Sequence, residues 1–297
     1  MEMMNDLCLG QYYFEAGNLL RNSLLLSTMV SNSEAWYNLT SKEITDLESV
    51  DELLLRKVLS AHSKTPKETL YLESGNTPIR FILMSRRLNF LHYILNEDEN
   101  SLVRRFLQAQ MECSKGDWIT TVNADMEELE MDMTLEDIKM LSKTGWKELV
   151  SKKVQKRAFN YLSELKSTHS KARNLQYSRL KLQSYLKSNQ NDLSIQEKQF
   201  AFAARTRMLD LKGNFKIGQM VTKCRRCEKA EETQEHLLHC PTLMDGGVVS
   251  DVPQYDDLLG EDTLRINNIT RILSEKFKIF VKTPCAPLAS DATTVMQ

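Results

Sequence analysis

Proline and glycine are scarce, with 6 Pro and 10 Gly in 297 residues. Turn-rich β architectures use both freely, so this scarcity argues against sandwiches, barrels and propellers. No long apolar run is present. The longest, Ile79 to Leu95, is broken by Arg80, Arg86 and Arg87 and reads as a buried helix rather than a membrane span. No secretory signal follows Met1, and the expectation is an intracellular chain, in nucleus or cytoplasm, with no membrane partner. Cysteine gives no disulfide framework: Cys8, Cys113 and Cys285 are isolated, and the other three cluster as metal ligands do in a reducing compartment. The patterns G-x-x-x-x-G-K-S/T, G-x-S-x-G and H-E-x-x-H do not occur. Tyr255-Asp256-Asp257 lacks the spacing of the polymerase Y-x-D-D signature and reads as a helix start or loop. His62, His92 and His169 have no partner set nearby and read as structural.

What is present is helical. Thr40 with Glu43, Thr134 with Asp137, and Ser194 with Glu197 have capping-box spacing; Thr65-Pro66 and Thr77-Pro78 pair a cap with a proline. Apolar residues recur at helical spacing between these starts, as at Leu47, Val50, Leu54 and Val58. Short extended pieces are expected only at Thr69–Leu72 and Trp118–Val122. The fold class is mainly α, a multi-helix bundle with a small C-terminal CCHC-type zinc knuckle. The expected divisions are a helical region 1–125, long helices 126–213 with a basic second half, the knuckle 214–241, a linker 242–261, a helix 262–281 and a disordered tail 282–297.

The net charge of −1 conceals a segregation. Residues 95–138 carry twelve acidic against three basic side chains, and residues 142–187 carry twelve Lys/Arg against two Glu. Clustered cations neutralise phosphate, so the basic block is the candidate surface for RNA or DNA. Its competing partner is the acidic segment of the same chain. The interleaved Phe159, Tyr161, Tyr177 and Tyr185 read as core more readily than as base-stacking platforms. Consecutive acids near Asp125–Asp132 point in different directions and read as a solvated face.

Cys224 and Cys227, then His236 and Cys240, give the spacing C-x2-C-x8-H-x3-C. Two thiols two residues apart chelate from one turn, and residues four apart share one side of a helix. Four protein ligands leave no vacancy for water, so one structural Zn2+ is expected rather than a hydrolytic one. His236 is preferred to His239, whose adjacency to Cys240 gives a poor bite. Arg225-Arg226, inside the first ligand turn, reads either as a solvated tip or as a phosphate contact.

The segment from Phe200 to Pro241 resembles the cysteine-histidine region near the C-terminus of non-LTR (LINE-like) retrotransposon reverse transcriptases. The resemblance is carried by Arg205, Arg207, Asn214, Phe215, Cys224, Cys227, Glu231, Glu232, Thr233, Glu235, His236, Leu237, Cys240 and Pro241. Upstream, Thr65-Pro66, Leu70-Tyr71, Glu73-x-Gly75 and Pro78-Ile79 are similar to the thumb-and-linker region that follows the palm in that family. The resemblance implies a C-terminal fragment of such an enzyme without the palm and endonuclease, non-catalytic alone, with a separate palm-bearing chain as a possible partner. It implies nucleic-acid grip through Lys143, Lys147, Lys152, Lys153, Lys156, Arg157, Lys171 and Arg173, together with Arg205, Arg207, Arg225 and Arg226. The alternative is a zinc-stapled helical module for protein–protein interaction.

Overall fold

The computed structural model describes residues 12–112, 117–188, 193–215, 222–243 and 254–282. Among them the chain is helical, and the only β pairings are two isolated bridges, Ser74 with Leu182 and Lys223 with Glu231. Cys8, Cys113, Cys285, residues 244–253 of the expected linker and nearly all of the expected tail lie outside the described residues; the described end of the linker is instead a short helix, Asp256–Leu259, packed into the core through Leu258 and Leu259.

The first rod, α1, runs through Tyr13–Leu20, a π segment Arg21–Leu25 and Leu26–Met29. Then come α2 (Ser41–Leu59), α3 (Lys67–Ser74), α4 (Ile79–Asn96) and α5 (Leu102–Glu112). They are followed by α6 (Trp118–Glu128), α7 (Leu135–Met140) and the long α8 (Lys143–Thr168). The remainder is α9 (Ile195–Arg205), α10 (Gln234–His239), α11 (Asp256–Leu259) and α12 (Thr263–Lys282). Capping chemistry places several of these starts. Thr40, Thr134 and Ser194 each accept from the backbone three residues on while Glu43, Asp137 and Glu197 return the bond. Thr65 does not cap α3; Pro66 stands outside the first turn, and the helix begins at Lys67.

Two cores form. One joins α4 to α6, α7 and the first half of α8, with Trp118, Val122, Ile138, Trp146 and Val150 inside. The other joins α1, α2 and α3 to α9, α11 and α12, and contains Leu162 from the far end of α8. The α8 helix therefore crosses from one core to the other, and the boundary expected at 125/126 falls inside α6. The expected strands at Thr69–Leu72 and Trp118–Val122 are helical instead. Glycine stops the first helix in the left-handed region at Gly75 (φ 71°), and Asp117 caps the second by accepting from Thr120. The basic block is helical only to Thr168; beyond it the chain is irregular apart from a single 3-10 turn, Ser184–Leu186.

Three buried arginines tie distant elements together. Arg21 makes a bidentate pair with Asp51, both bonds 2.6 Å. Arg87 does the same with Asp125 at 2.6 and 2.8 Å. Arg205 on α9 donates from Nε to Glu73 on α3 at 2.8 Å, and both side chains are fully buried. Glu73 also accepts from the Tyr177 hydroxyl at 2.8 Å and the Tyr185 hydroxyl at 2.9 Å. Burial, reinforced by the Glu73 charge, pushes both phenols well above their usual range, so they stay protonated donors. Arg205 reaches the carbonyls of Leu258 and, at 2.9 Å, Gly260. Next to this cluster the irregular segment lies so close to Gly75 that a Cβ there would come within 2.1 Å of the Leu182 nitrogen.

Removing one member of a buried, hydrogen-bonded ion pair strands its partner, at a cost of about 3–5 kcal/mol. Glu73→Ala is expected to lower the unfolding free energy by that amount in a urea titration followed by circular dichroism. A loss below about 1 kcal/mol would mean that Arg205 is hydrated in the folded chain.

Candidate metal centre

The centre is built by one turn, one bridge and one short helix. Residues 224–227 turn back on themselves: Glu228 donates to the Cys224 carbonyl at 3.0 Å and takes a positive φ of 56°. Cys224 then donates to the Ala230 carbonyl at 2.8 Å, and Glu232 to that of Thr222 at 2.8 Å, which closes the loop. Thr233 caps α10 by accepting from His236 at 3.2 Å. Leu237 and Leu238 anchor that helix in the core, and Cys240 sits buried at its end.

This arrangement brings Cys224, Cys227, His236 and Cys240 together, with all four ligand atoms within 4.8 Å of one another. Cys224 Sγ and Cys240 Sγ are 4.0 Å apart; Cys227 Sγ and His236 Nε2 are 3.2 Å apart. Two sulfurs on a tetrahedral ion with bonds of about 2.3 Å would stand about 3.8 Å apart. The four residues are thus close enough to hold one metal ion, and three sulfurs with one imidazole suit a soft-to-borderline cation. His239 is exposed and is not among the four.

The thiols are primed unequally. Burial pushes Cys224 up to about 11, opposed by N–H groups of Cys227 and Arg226. At Cys227 burial acts upward, but N–H donors from Lys229 and Ala230 and the neighbouring thiols hold it below the usual range. Burial lowers His236, which keeps the imidazole neutral and free to ligate.

Around the ligands the arginines face inward. Arg225 stacks over Phe280 at 5.0 Å and forks onto Glu232, whose carboxylate also accepts from the backbone of Lys212 and of Arg225 at 2.9 Å each. Glu232 is 1% exposed. Burial acts to raise its pKa, but the Arg225 guanidinium and the two N–H groups hold it below the usual range. Arg226 donates to the carbonyls of Phe280 and Ile279 at the end of α12. Arg207 pairs with Glu235 and lies over the Tyr255 ring. Spacing gave no sign that Glu232 links three segments; its only signal was the acidic-Thr stretch of the resemblance.

The twelve expected nucleic-acid contacts divide by environment. Arg205 is wholly buried and is withdrawn: its charge is consumed by Glu73 and two carbonyls. Arg225 and Arg226 are committed to Glu232 and to α12, so neither is a solvated tip. On α8, Arg157 pairs with Glu128 at 3.4 Å, Lys156 with Glu130 at 3.6 Å, and Lys153 donates to the Glu130 carbonyl at 2.6 Å. The acidic segment therefore claims one edge of the helix. Lys143, Lys147, Lys152 and Arg173 are exposed and, among the described residues, pair with no carboxylate. Lys171 is half-buried over Phe215.

Groups that orient metal ligands typically matter 10–100-fold for affinity. Glu232→Ala is expected to weaken cobalt(II) binding by about that factor, read from its d–d absorption in competition with a chelator; an unchanged affinity would show that the loop orders itself without the carboxylate. No family model matches the chain, and neither a curated protein nor a solved structure does.

Proposed function

We propose that this chain is a non-catalytic nucleic-acid-gripping fragment of retrotransposon reverse-transcriptase type, stapled by one structural zinc ion. The observation that supports the grip most directly is a groove of about 630 Å³ beside α8. Lys147, Lys152 and Lys156 form one wall, and Arg179 stands on the facing irregular segment. Glu148 is the one carboxylate along it. Lys152 and Lys156, four apart, share a helix face, and Lys147 lies about 140° around the helix from Lys152, so the cations border the groove along its length, where a phosphate backbone can run.

The residues of the resemblance support the reverse-transcriptase origin. Several of them, scattered in sequence, have structural roles in the fold. Glu73 receives Arg205, Gly75 admits the segment at Leu182, and Asn214 donates to the Leu209 carbonyl at 2.8 Å. Zinc is the ion that best fits three thiolates and an imidazole in a closed tetrahedron. Binding a structural zinc contributes roughly 10–16 kcal/mol in small peptides, ample to order a loop with little apolar core. No helix among the described residues is long and apolar enough to cross a membrane.

A second reading, a protein–protein module, is favoured by α5, which leaves Leu102, Phe106 and Met111 exposed. The two readings separate in a salt titration. If about five phosphates are neutralised, log affinity for an oligonucleotide should fall with log salt with a slope of roughly −3.5 to −4.5. Changing Lys143, Lys147, Lys152 and Arg179 together to Gln should shallow that slope by about 3. A flat titration, with the variant indistinguishable from the parent, favours the protein module. Elemental analysis should return one zinc per chain, and Cys224→Ser with Cys240→Ser should abolish it.

A further inference from the structure

Three surface cavities share residues end to end. The α8 groove closes at Phe159, which also lines a second cavity of about 820 Å³ with Ser163, Lys166, Arg173 and Asn174. Arg173 and Asn174 in turn line a third, of about 630 Å³, with Lys64, Lys171, Arg207 and Phe215. Joined through these shared residues, the cavities trace one path, a furrow from the first turns of α8 past its C-terminal end to the turn before the metal loop.

The far end differs from the rest. Four cations, Lys64, Lys171, Arg173 and Arg207, line it with no carboxylate among them. Lys171 and Lys64 both lean over the Phe215 ring, at 4.7 and 5.9 Å from its centroid. The ring thus holds two like charges close together. Burial lowers the Lys171 pKa, and the neighbouring charges of Lys64 and Arg207 lower it further. Arg207 has Glu235 on its other side, so three of the four cations have no counter-ion among the described residues. In the middle cavity Lys166 is engaged, donating to the carbonyls of Arg173 and Leu175 at 3.2 and 2.6 Å, and it shapes the wall. Asp256 also lines that cavity, so the middle holds an anion less well than either end.

We propose that the Lys64–Lys171–Arg173 cleft is a phosphodiester site at the end of this furrow, occupied by the same strand that lies along α8. The inference rests on the nucleic-acid reading and adds a position and a length to it. From Lys147 to Phe159 α8 rises about 18 Å, room for about five stacked nucleotides at about 3.4 Å each. A strand that short fills the first groove only. From Phe159 to the end of α8 at Thr168 the helix rises about a further 14 Å, so a strand that also reaches the cleft beyond it must be about twice as long or longer.

Fluorescence anisotropy with labelled oligothymidylates of five and fourteen nucleotides tests this directly. Changing Lys64, Lys171 and Arg173 together to Gln should weaken the 14-mer about tenfold, shallow its salt slope by about 2, and leave the 5-mer unchanged. Lys64→Gln with Arg173→Gln alters only the two exposed cations and leaves the Lys171 packing intact. It should shallow the 14-mer slope by about 1.4. Unaltered circular dichroism and one metal equivalent per chain would confirm that both variants fold. Equal loss for both lengths, or no loss on the 14-mer while the parent binds it, overturns the cleft and spares the α8 groove. A parent chain that binds neither length at low salt overturns both.

Discussion

The contact between Glu73 and Arg205 is the constraint on which the remainder of this fold depends. Both side chains are fully buried, so neither charge has water to fall back on, and each must be satisfied by protein. Satisfying them recruits four separate parts of the chain. Glu73 brings α3, Arg205 brings α9, Tyr177 and Tyr185 bring the irregular segment after α8, and the carbonyls of Leu258 and Gly260 bring α11. Hydrophobic burial supplies most of the driving force in the surrounding core, but it is non-directional. The ion pair is directional, and it sets the register in which those elements meet.

That register reaches the metal loop. Arg205 ends α9, and within ten residues the chain has placed Arg207 against Glu235 and docked the turn at Lys212–Asn214 on Glu232. Gly213 makes this approach possible: a Cβ there would come within 2.6 Å of the Glu232 carbonyl oxygen. Glu232 in turn fixes Arg225, one residue from the first thiol. The ligand set is therefore held from outside by charge-assisted hydrogen bonds as well as by its own turn. A donor set of this kind needs such support, because α10 is only six residues long and cannot stand alone.

Helix content and the cluster of four residues close enough to hold a metal ion were legible in the sequence because both rest on local spacing. Three capping boxes and the C-x2-C-x8-H-x3-C pattern are read within a few residues of one another, and each stands in the structure at that spacing. The expected strands failed for the same reason in reverse: a short run such as Thr69–Leu72 has no periodicity long enough to decide, and Gly75 and the packing of α3 settle it as helix. The division at 125/126 followed composition, whereas the cores follow α8, whose two ends are apolar toward different partners. Least legible were the pairings across long separations. Nothing local in Glu73 announces Arg205, and a basic residue in a basic region looks available until its partner is seen.

Arginine and lysine are sorted by this logic. Arg21, Arg87, Arg205 and Arg225 all serve inside or at the edge of the core, where a planar fork meets a carboxylate or carbonyls with several donors at once. Lys143, Lys147 and Lys152 stand on the surface of α8, where a compact, strongly hydrated charge keeps its water and its freedom. Bidentate arginine contacts are the commonest means of reading guanine edges, and lysine acts on phosphate as a point charge. Beside α8 the exposed cations are mostly lysines, joined by Arg173 and Arg179, and on the proposed reading such a surface would hold a phosphate backbone of any sequence. On that reading its affinity would follow the number of phosphates in reach along the proposed furrow.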